Sequence, residues 1–170
     1  MNKTVLLVED SKVQKLQNER ILHKAGYSVL TADDGEQALR LAHEKIPDLI
    51  LLDMLLPKLG GPEVLQALKQ DQATARIPVI VLSGLSQTNS AKLKGEGAAD
   101  YFEKSRLTAD ELGAQAFVEV VARVLRQSEV KNAAAAIADS LKHRHCDRNA
   151  HSEMLSAPRC SPACRQRRSC

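Results

Sequence analysis

Five side chains of this 170-residue chain have the types and spacing for phosphoryl chemistry: Glu9, Asp10, Asp53, Ser83 and Lys104. Three carboxylates drawn into one small space raise one another's proton affinity unless a cation is bound among them. Hard oxygen ligands with room for water suit Mg2+, which takes one or two carboxylates and fills the rest of its shell with water and phosphate. With such a cation in place Asp53 stays ionised and can act as a nucleophile, since aspartate carboxylates accept phosphoryl groups in covalent catalysis. Transfer of that kind mainly requires positioned groups and neutralised equatorial oxygens, and Lys104 and Ser83 supply a cation and a hydroxyl.

These residues are far apart in the chain, so the elements they follow must bring them together. The stretch PDLILLDMLLPKLGG (47–61) drives Leu49 to Leu52 into an interior and sets Asp53 against the end of the run. A buried unpaired carboxylate is costly, so Asp53 either sits at an exposed strand end or meets a cation there. Similar short apolar runs are TVLLV (4–8), SVLTA (28–32), PVIVL (78–82) and YF (101–102). Between them, Val13, Leu16, Ile21 and Ala25 recur at helical spacing, as do Ala38, Leu39, Leu41 and Ala42, then Val64, Leu65 and Leu68, and finally Leu112, Ala116, Phe117, Val120, Val121 and Val124. Ser11, Asp34-Gly35 and Pro62 mark helix starts. The pattern predicts an α/β fold in which five strands alternate with five helices. That order implies right-handed crossovers and a doubly wound parallel sheet covered on both faces, which is why the strands are apolar throughout. Ligands of such sheets bind outside the carboxyl ends of the strands. Glu9 and Asp10 follow the first strand, Asp53 the third and Ser83 the fourth, and Lys104 stands just past the fifth, so one rim collects all of them.

The composition narrows the function. There is no Trp, and two Tyr and two Phe leave almost no aromatic platform for stacking nucleic-acid bases. The net charge of +3 is unevenly spread: residues 1–126 carry 16 Lys+Arg against 17 Asp+Glu, and residues 127–170 carry 8 against 4. No apolar run approaches the roughly 18 residues of a membrane span. The amino end turns acidic too early for a signal peptide. The expectation is a cytoplasmic protein without membrane contact or specific nucleic-acid binding. Cys146, Cys160, Cys164 and Cys170 all lie near the carboxyl end, so no disulfide framework supports the folded part.

Four motifs in this order, VEDS (8–11), LLDMLLPKLGG (51–61), VLSG (81–84) and GAADYFEK (97–104), resemble the receiver domain of bacterial two-component response regulators over about residues 3–126. The resemblance implies the flavodoxin-like strand order 2-1-3-4-5. It implies that Asp53 is the phosphoacceptor, that Asp10 binds Mg2+ directly and Glu9 through water, and that the Leu55 main-chain carbonyl is a further ligand. It makes Ser83 and Lys104 the partners of phosphate oxygens, and Ser83 with Tyr101 the switch pair. The implied partner is a sensor histidine kinase or histidine phosphotransfer protein. Switching would be a population shift, read out near the fourth helix, fifth strand and fifth helix, where a homodimer is also expected. Such a domain is not an enzyme beyond its own phosphorylation and dephosphorylation. The chain departs from the family at Ser105, where proline usually follows the lysine, often in a cis bond. A cis bond before a non-proline costs about 3–4 kcal/mol, so the Lys104–Ser105 bond is expected to be trans.

Outside the rim, His23 and His43 read as surface residues, and Asp33-Asp34-Gly35-Glu36 as a strand-to-helix turn whose acids suit a helix amino end. Residues 127–142, with Val130, Ala134, Ile137 and Leu141 on one face, read as a helical linker or extension. Residues 143–170 read as a basic, disordered tail. Their cysteines fit no C-x2-C zinc pair, their arginines offer a nonspecific acidic-surface contact, and their composition suits an off-frame reading. A receiver-like module that binds partners without turning over phosphate is the rival function, together with the amino-terminal part of a larger regulator whose output domain is lost. A flavin carrier of similar topology is set aside, because no Ser/Thr/Gly-rich phosphate loop follows the first strand.

Overall fold

The computed structural model describes residues 3–84, 95, 97–107 and 111–149. The strands are β1 (Thr4–Val8), β2 (Ser28–Ala32), β3 (Leu49–Asp53), β4 (Val79–Ser83) and β5 (Asp100–Glu103), and the helices are α1 (Lys12–Lys24), α2 (Gly35–Lys45), α3 (Gly61–Gln70) and α4 (Glu111–Asn149). All strand pairs are parallel, in the order β2-β1-β3-β4-β5. Among the described residues there are therefore four α-helices and not five. The remaining helix, expected between β4 and β5, falls on residues that lie outside those described.

Side chains of a strand alternate between its two faces, and here both faces are buried. Val5, Leu7, Leu49, Leu51, Ile80, Leu82 and Phe102 form one core with Leu22 of α1 and Phe117, Val121, Val124 and Leu125 of α4. Leu6, Val8, Ala32, Ile50, Leu52, Val79 and Val81 form the other with Ala38, Ala42, Val64, Leu65 and Leu68 of α2 and α3. Phe102 and Phe117 meet edge to face, with centroids 5.2 Å apart.

Local chemistry sets the helix ends. Asp34 is the N-cap of α2, its carboxylate accepting from the Gln37 N–H at 2.8 Å, and Lys58 Nζ donates to its other oxygen at 2.6 Å. Ser11 occupies the N-cap position of α1 but makes no side-chain cap bond. Pro62 stands in the first turn of α3, where its missing N–H costs nothing. His23 and His43 are both exposed, near Glu19 and Asp71 respectively. The chain divides into two units, residues 1–130 and 131–170. Helix α4 continues to Asn149, past the boundary expected at 142, and residues 150–170 lie outside those described.

Gly61 is where α3 comes up against the end of β3. A Cβ there would lie 2.5 Å from the Asp53 carbonyl oxygen and 2.6 Å from Met54 Cα, both backbone atoms that cannot swing away. Gly61→Ala is therefore expected to lower stability by about 1–3 kcal/mol, read from urea unfolding; an unchanged midpoint would show that α3 does not abut this segment.

Candidate functional site

The parallel register brings the carboxyl ends of β1, β3, β4 and β5 to one rim. Val8 pairs with Leu52, Asp53 with Leu82, and Ser83 with Glu103. Glu9, one residue past β1, is 0% exposed, and Asp53, the last residue of β3, is 3% exposed. One carboxylate oxygen from each of Glu9, Asp10 and Asp53 lies within 4.8 Å of the others, and Asp10 is the exposed member.

Of the two settings the sequence left open for Asp53, the structure shows a cation beside it, Lys104. Its Nζ lies 2.6 Å from Asp53 Oδ2 and 2.8 Å from Glu9 Oε2, with 15% of the side chain exposed. It also donates to Gln14 Oε1 at 2.9 Å. The other Asp53 oxygen accepts from the Leu55 N–H at 3.1 Å. Glu9 Oε1 is buried and has no hydrogen-bond partner. Burial, with the Asp53 charge adding to it, pushes the Glu9 carboxyl above the usual carboxylate range despite the opposing bond to Lys104.

Three carboxylates against one ammonium leave a formal excess of two negative charges. Together with the orphaned Glu9 oxygen and the all-oxygen donor set, this fits a hard divalent cation such as Mg2+. Asp10 supplies the exposed oxygen, and Leu55, a residue 74% exposed, carries main chain alongside Asp53. Ser83 is buried at the end of β4, one residue past the register partner of Asp53. Tyr101 is half-buried, opposite Val81, and packs against the core on the α2 and α3 face. The described backbone contains no cis peptide bond, so Lys104–Ser105 is trans as expected, and Lys104–Arg106 form a single 3-10 turn.

The structure thus assembles Glu9, Asp10, Asp53 and Lys104 in direct proximity and lines up Ser83 and Tyr101 on the two strands beside them. Gln14 is the participant that sequence reasoning missed. It lies in the first turn of α1, just past Asp10, where the helix borders the rim.

The family model for the response regulator receiver domain matches residues 5–117. The chain is 35% identical over 130 residues to the alkaline phosphatase synthesis transcriptional regulatory protein PhoP of Bacillus subtilis, covering 76% of this chain and 51% of that protein. It is 35% identical over 101 residues to protein PilH of Pseudomonas aeruginosa, covering 59% of this chain and 84% of PilH. The chain spans about half the length of the first of these relatives. Among solved structures, the receiver domain of sensor histidine kinase PA1611 of Pseudomonas aeruginosa, with magnesium coordinated in its active-site cleft, superposes with a TM-score of 0.64 at 26% identity, covering 74% of this chain and 98% of that one. Among the described residues, no helix is long and apolar enough to cross a membrane.

The raised Glu9 carboxyl gives a pH dependence of known sign. Between the unfolded value near 4.5 and the higher folded one, the folded chain holds more protons at Glu9 than the unfolded chain does. The Glu9 contribution to stability is therefore full below that window and declines as pH rises through it. In EDTA, the unfolding free energy of wild type is expected to fall relative to Glu9→Gln as pH is raised from about 4.5 to neutrality. A difference between the two that does not vary with pH would contradict this.

Proposed function

Since the chain belongs to the response regulator receiver family, we propose that Asp53 accepts a phosphoryl group from the phosphohistidine of a sensor histidine kinase or histidine phosphotransfer protein, and that the domain then changes its surface. Receiver domains are signalling domains of two-component systems, and phosphoryl acceptance, Mg2+ in an acidic pocket and contact with histidine kinases or phosphotransfer proteins are general to them. The observation that carries the residue assignment is the Lys104 ammonium 2.6 Å from Asp53 Oδ2 within a cluster of three carboxylates.

In this reading an Asp53 carboxylate oxygen forms a bond to phosphorus as the P–N bond of the donor phosphohistidine breaks. The imidazole leaves with that electron pair and takes up a proton from solvent. Lys104, already at Asp53, turns one of its N–H donors to a phosphoryl oxygen, and the Ser83 hydroxyl donates to another. Asp10, Glu9, Asp53 and the Leu55 main-chain carbonyl would hold Mg2+, which when bound neutralises charge on the phosphoryl oxygens. Water later attacks the phosphorus, releases inorganic phosphate and regenerates the Asp53 carboxylate. The low exposure of Asp53 and Lys104 supports this assignment, because electrostatic interactions are stronger where water is scarce.

The surface that responds is that of β5, α4 and the segment between β4 and β5, with Tyr101 turning inward as Ser83 moves toward the phosphoryl group. A homodimer through that surface is part of the same proposal.

Incubation with acetyl phosphate and Mg2+, followed by intact mass measurement, is expected to show the gain of one phosphoryl group. The gain disappears in Asp53→Asn and in EDTA, and its rate falls about a hundredfold in Lys104→Met, the scale for removing one positioned donor. Wild-type protein that gains no mass would leave a module that works by binding partners alone.

A further inference from the structure

An ammonium group has three N–H donors and no acceptor. Lys104 Nζ has three acceptors at hydrogen-bond distance: Asp53 Oδ2 at 2.6 Å, Glu9 Oε2 at 2.8 Å and Gln14 Oε1 at 2.9 Å. Two of these have competing roles. Phosphorylation turns an Asp53 oxygen into the bridge of an acyl phosphate, and Glu9 belongs to the carboxylate group that fits a divalent cation. The Gln14 amide does neither. It does not ionise, it accepts no phosphoryl group, and a cation surrounded by carboxylates has little use for it. Its hold on the ammonium is therefore the one that carries over from the free to the phosphorylated site.

The placement of Gln14 suits that task. It lies in the first turn of α1, and Gln17, three residues on and on the same helix face, donates its side-chain amide to the Leu107 carbonyl at 3.2 Å. Helix α1 thus grips both ends of the segment Lys104–Leu107, the side chain of the first residue and the main chain of the last. Between them the segment is a single 3-10 turn closed by the Leu107 N–H on the Lys104 carbonyl at 3.0 Å. So short a turn has little stiffness of its own, and it takes its position from what it is tied to.

We propose that Gln14 is a positioning residue for phosphoryl transfer: its side-chain carbonyl keeps the Lys104 ammonium over Asp53 while Asp53 and Glu9 change partners. The inference rests on Asp53 being the phosphoacceptor, and it adds a residue that touches neither the phosphoryl group nor the cation.

The test uses the full chain with Gln14→Leu, Gln14→Glu and Gln17→Leu. The Lys104 ammonium resonance is followed by 15N NMR, assigned by its loss in Lys104→Met, without metal and with Mg2+. Phosphoryl uptake from acetyl phosphate is followed by intact mass. In Gln14→Leu the resonance is expected to shift and broaden through faster proton exchange, most strongly with Mg2+ present, and uptake to slow roughly threefold to tenfold, the scale of one ordinary net hydrogen bond. Gln14→Glu, which keeps an oxygen acceptor, restores the resonance. Gln17→Leu loosens the same segment without removing an acceptor and leaves the resonance in place. Uptake at the wild-type rate and an unchanged resonance in Gln14→Leu, or equal effects of Gln14→Leu and Gln17→Leu on the resonance, would overturn the proposal while leaving Asp53 as acceptor. Wild-type protein that takes up no phosphoryl group would overturn both.

Discussion

The bond of Lys104 to both Glu9 and Asp53 is the interaction on which the pocket depends. Two nearly inaccessible carboxylates at a strand rim are unfavourable without a counter-charge, and removing one partner from a buried ion pair typically costs about 3–5 kcal/mol. One ammonium shared between two carboxylates, with a third close by, compensates them only in part. The shortfall is visible in Glu9, whose second oxygen has no partner and whose proton affinity is raised by burial. Three carboxylates against one ammonium leave two formal negative charges unbalanced, a pattern that fits a divalent cation. The same incompleteness explains why acidic residues occupy the end of an otherwise apolar layer.

Bringing Glu9, Asp53 and Lys104 together across nearly a hundred residues of chain is the work of the sheet. Parallel strands start and stop in step, so residues just past β1, β3, β4 and β5 arrive at one rim whatever their separation in sequence. The two cores hold the central strands from both sides, and β1, β3 and β4 carry an almost unbroken run of buried residues. Their ends are fixed by packing that has nothing to do with the pocket. Gly61 adds a local constraint, since only a residue without a side chain lets α3 start this close to the backbone of Asp53 and Met54.

Much of this was legible in the sequence because it follows from periodicity. The apolar runs mark the strands to within a residue or two, whereas the sequence left Asp53 either at an exposed strand end or beside a cation, and only the geometry puts the Lys104 ammonium 2.6 Å from it. The trans bond before Ser105 followed from peptide energetics alone. Gln14 was illegible for a physical reason: a neutral amide on an amphipathic helix carries no charge signal, and only the three-dimensional course of α1 shows that it reaches the lysine. The length of α4 was also hidden. The change in composition after residue 142 reports a lack of apolar surface, whereas a nucleated helix propagates on backbone hydrogen bonds and here runs to Asn149. The expected helix between β4 and β5 falls outside the described residues.

A change at Asp53 can leave the pocket only through an element with two arrangements available to it, and the packing restricts which one that is. Strands β1 and β3 lie inside the sheet with both faces filled, so displacing them would disturb both cores at once. Strand β2 is an edge but contributes no side chain to the rim. Strand β5 is the other edge, only four residues long and mostly half-buried, and it carries Tyr101 and leads directly into Lys104. Segments with few buried contacts open at low cost. Ser83 ends β4 in register with Glu103, and Tyr101 sits opposite Val81 two residues back, so the half-buried Tyr101 lies on the strand next to the one that carries Ser83. The Asp100–Arg123 ion pair ties the far end of β5 to α4. Of the strands whose ends reach the rim, β5 is therefore the one that the packing restrains least.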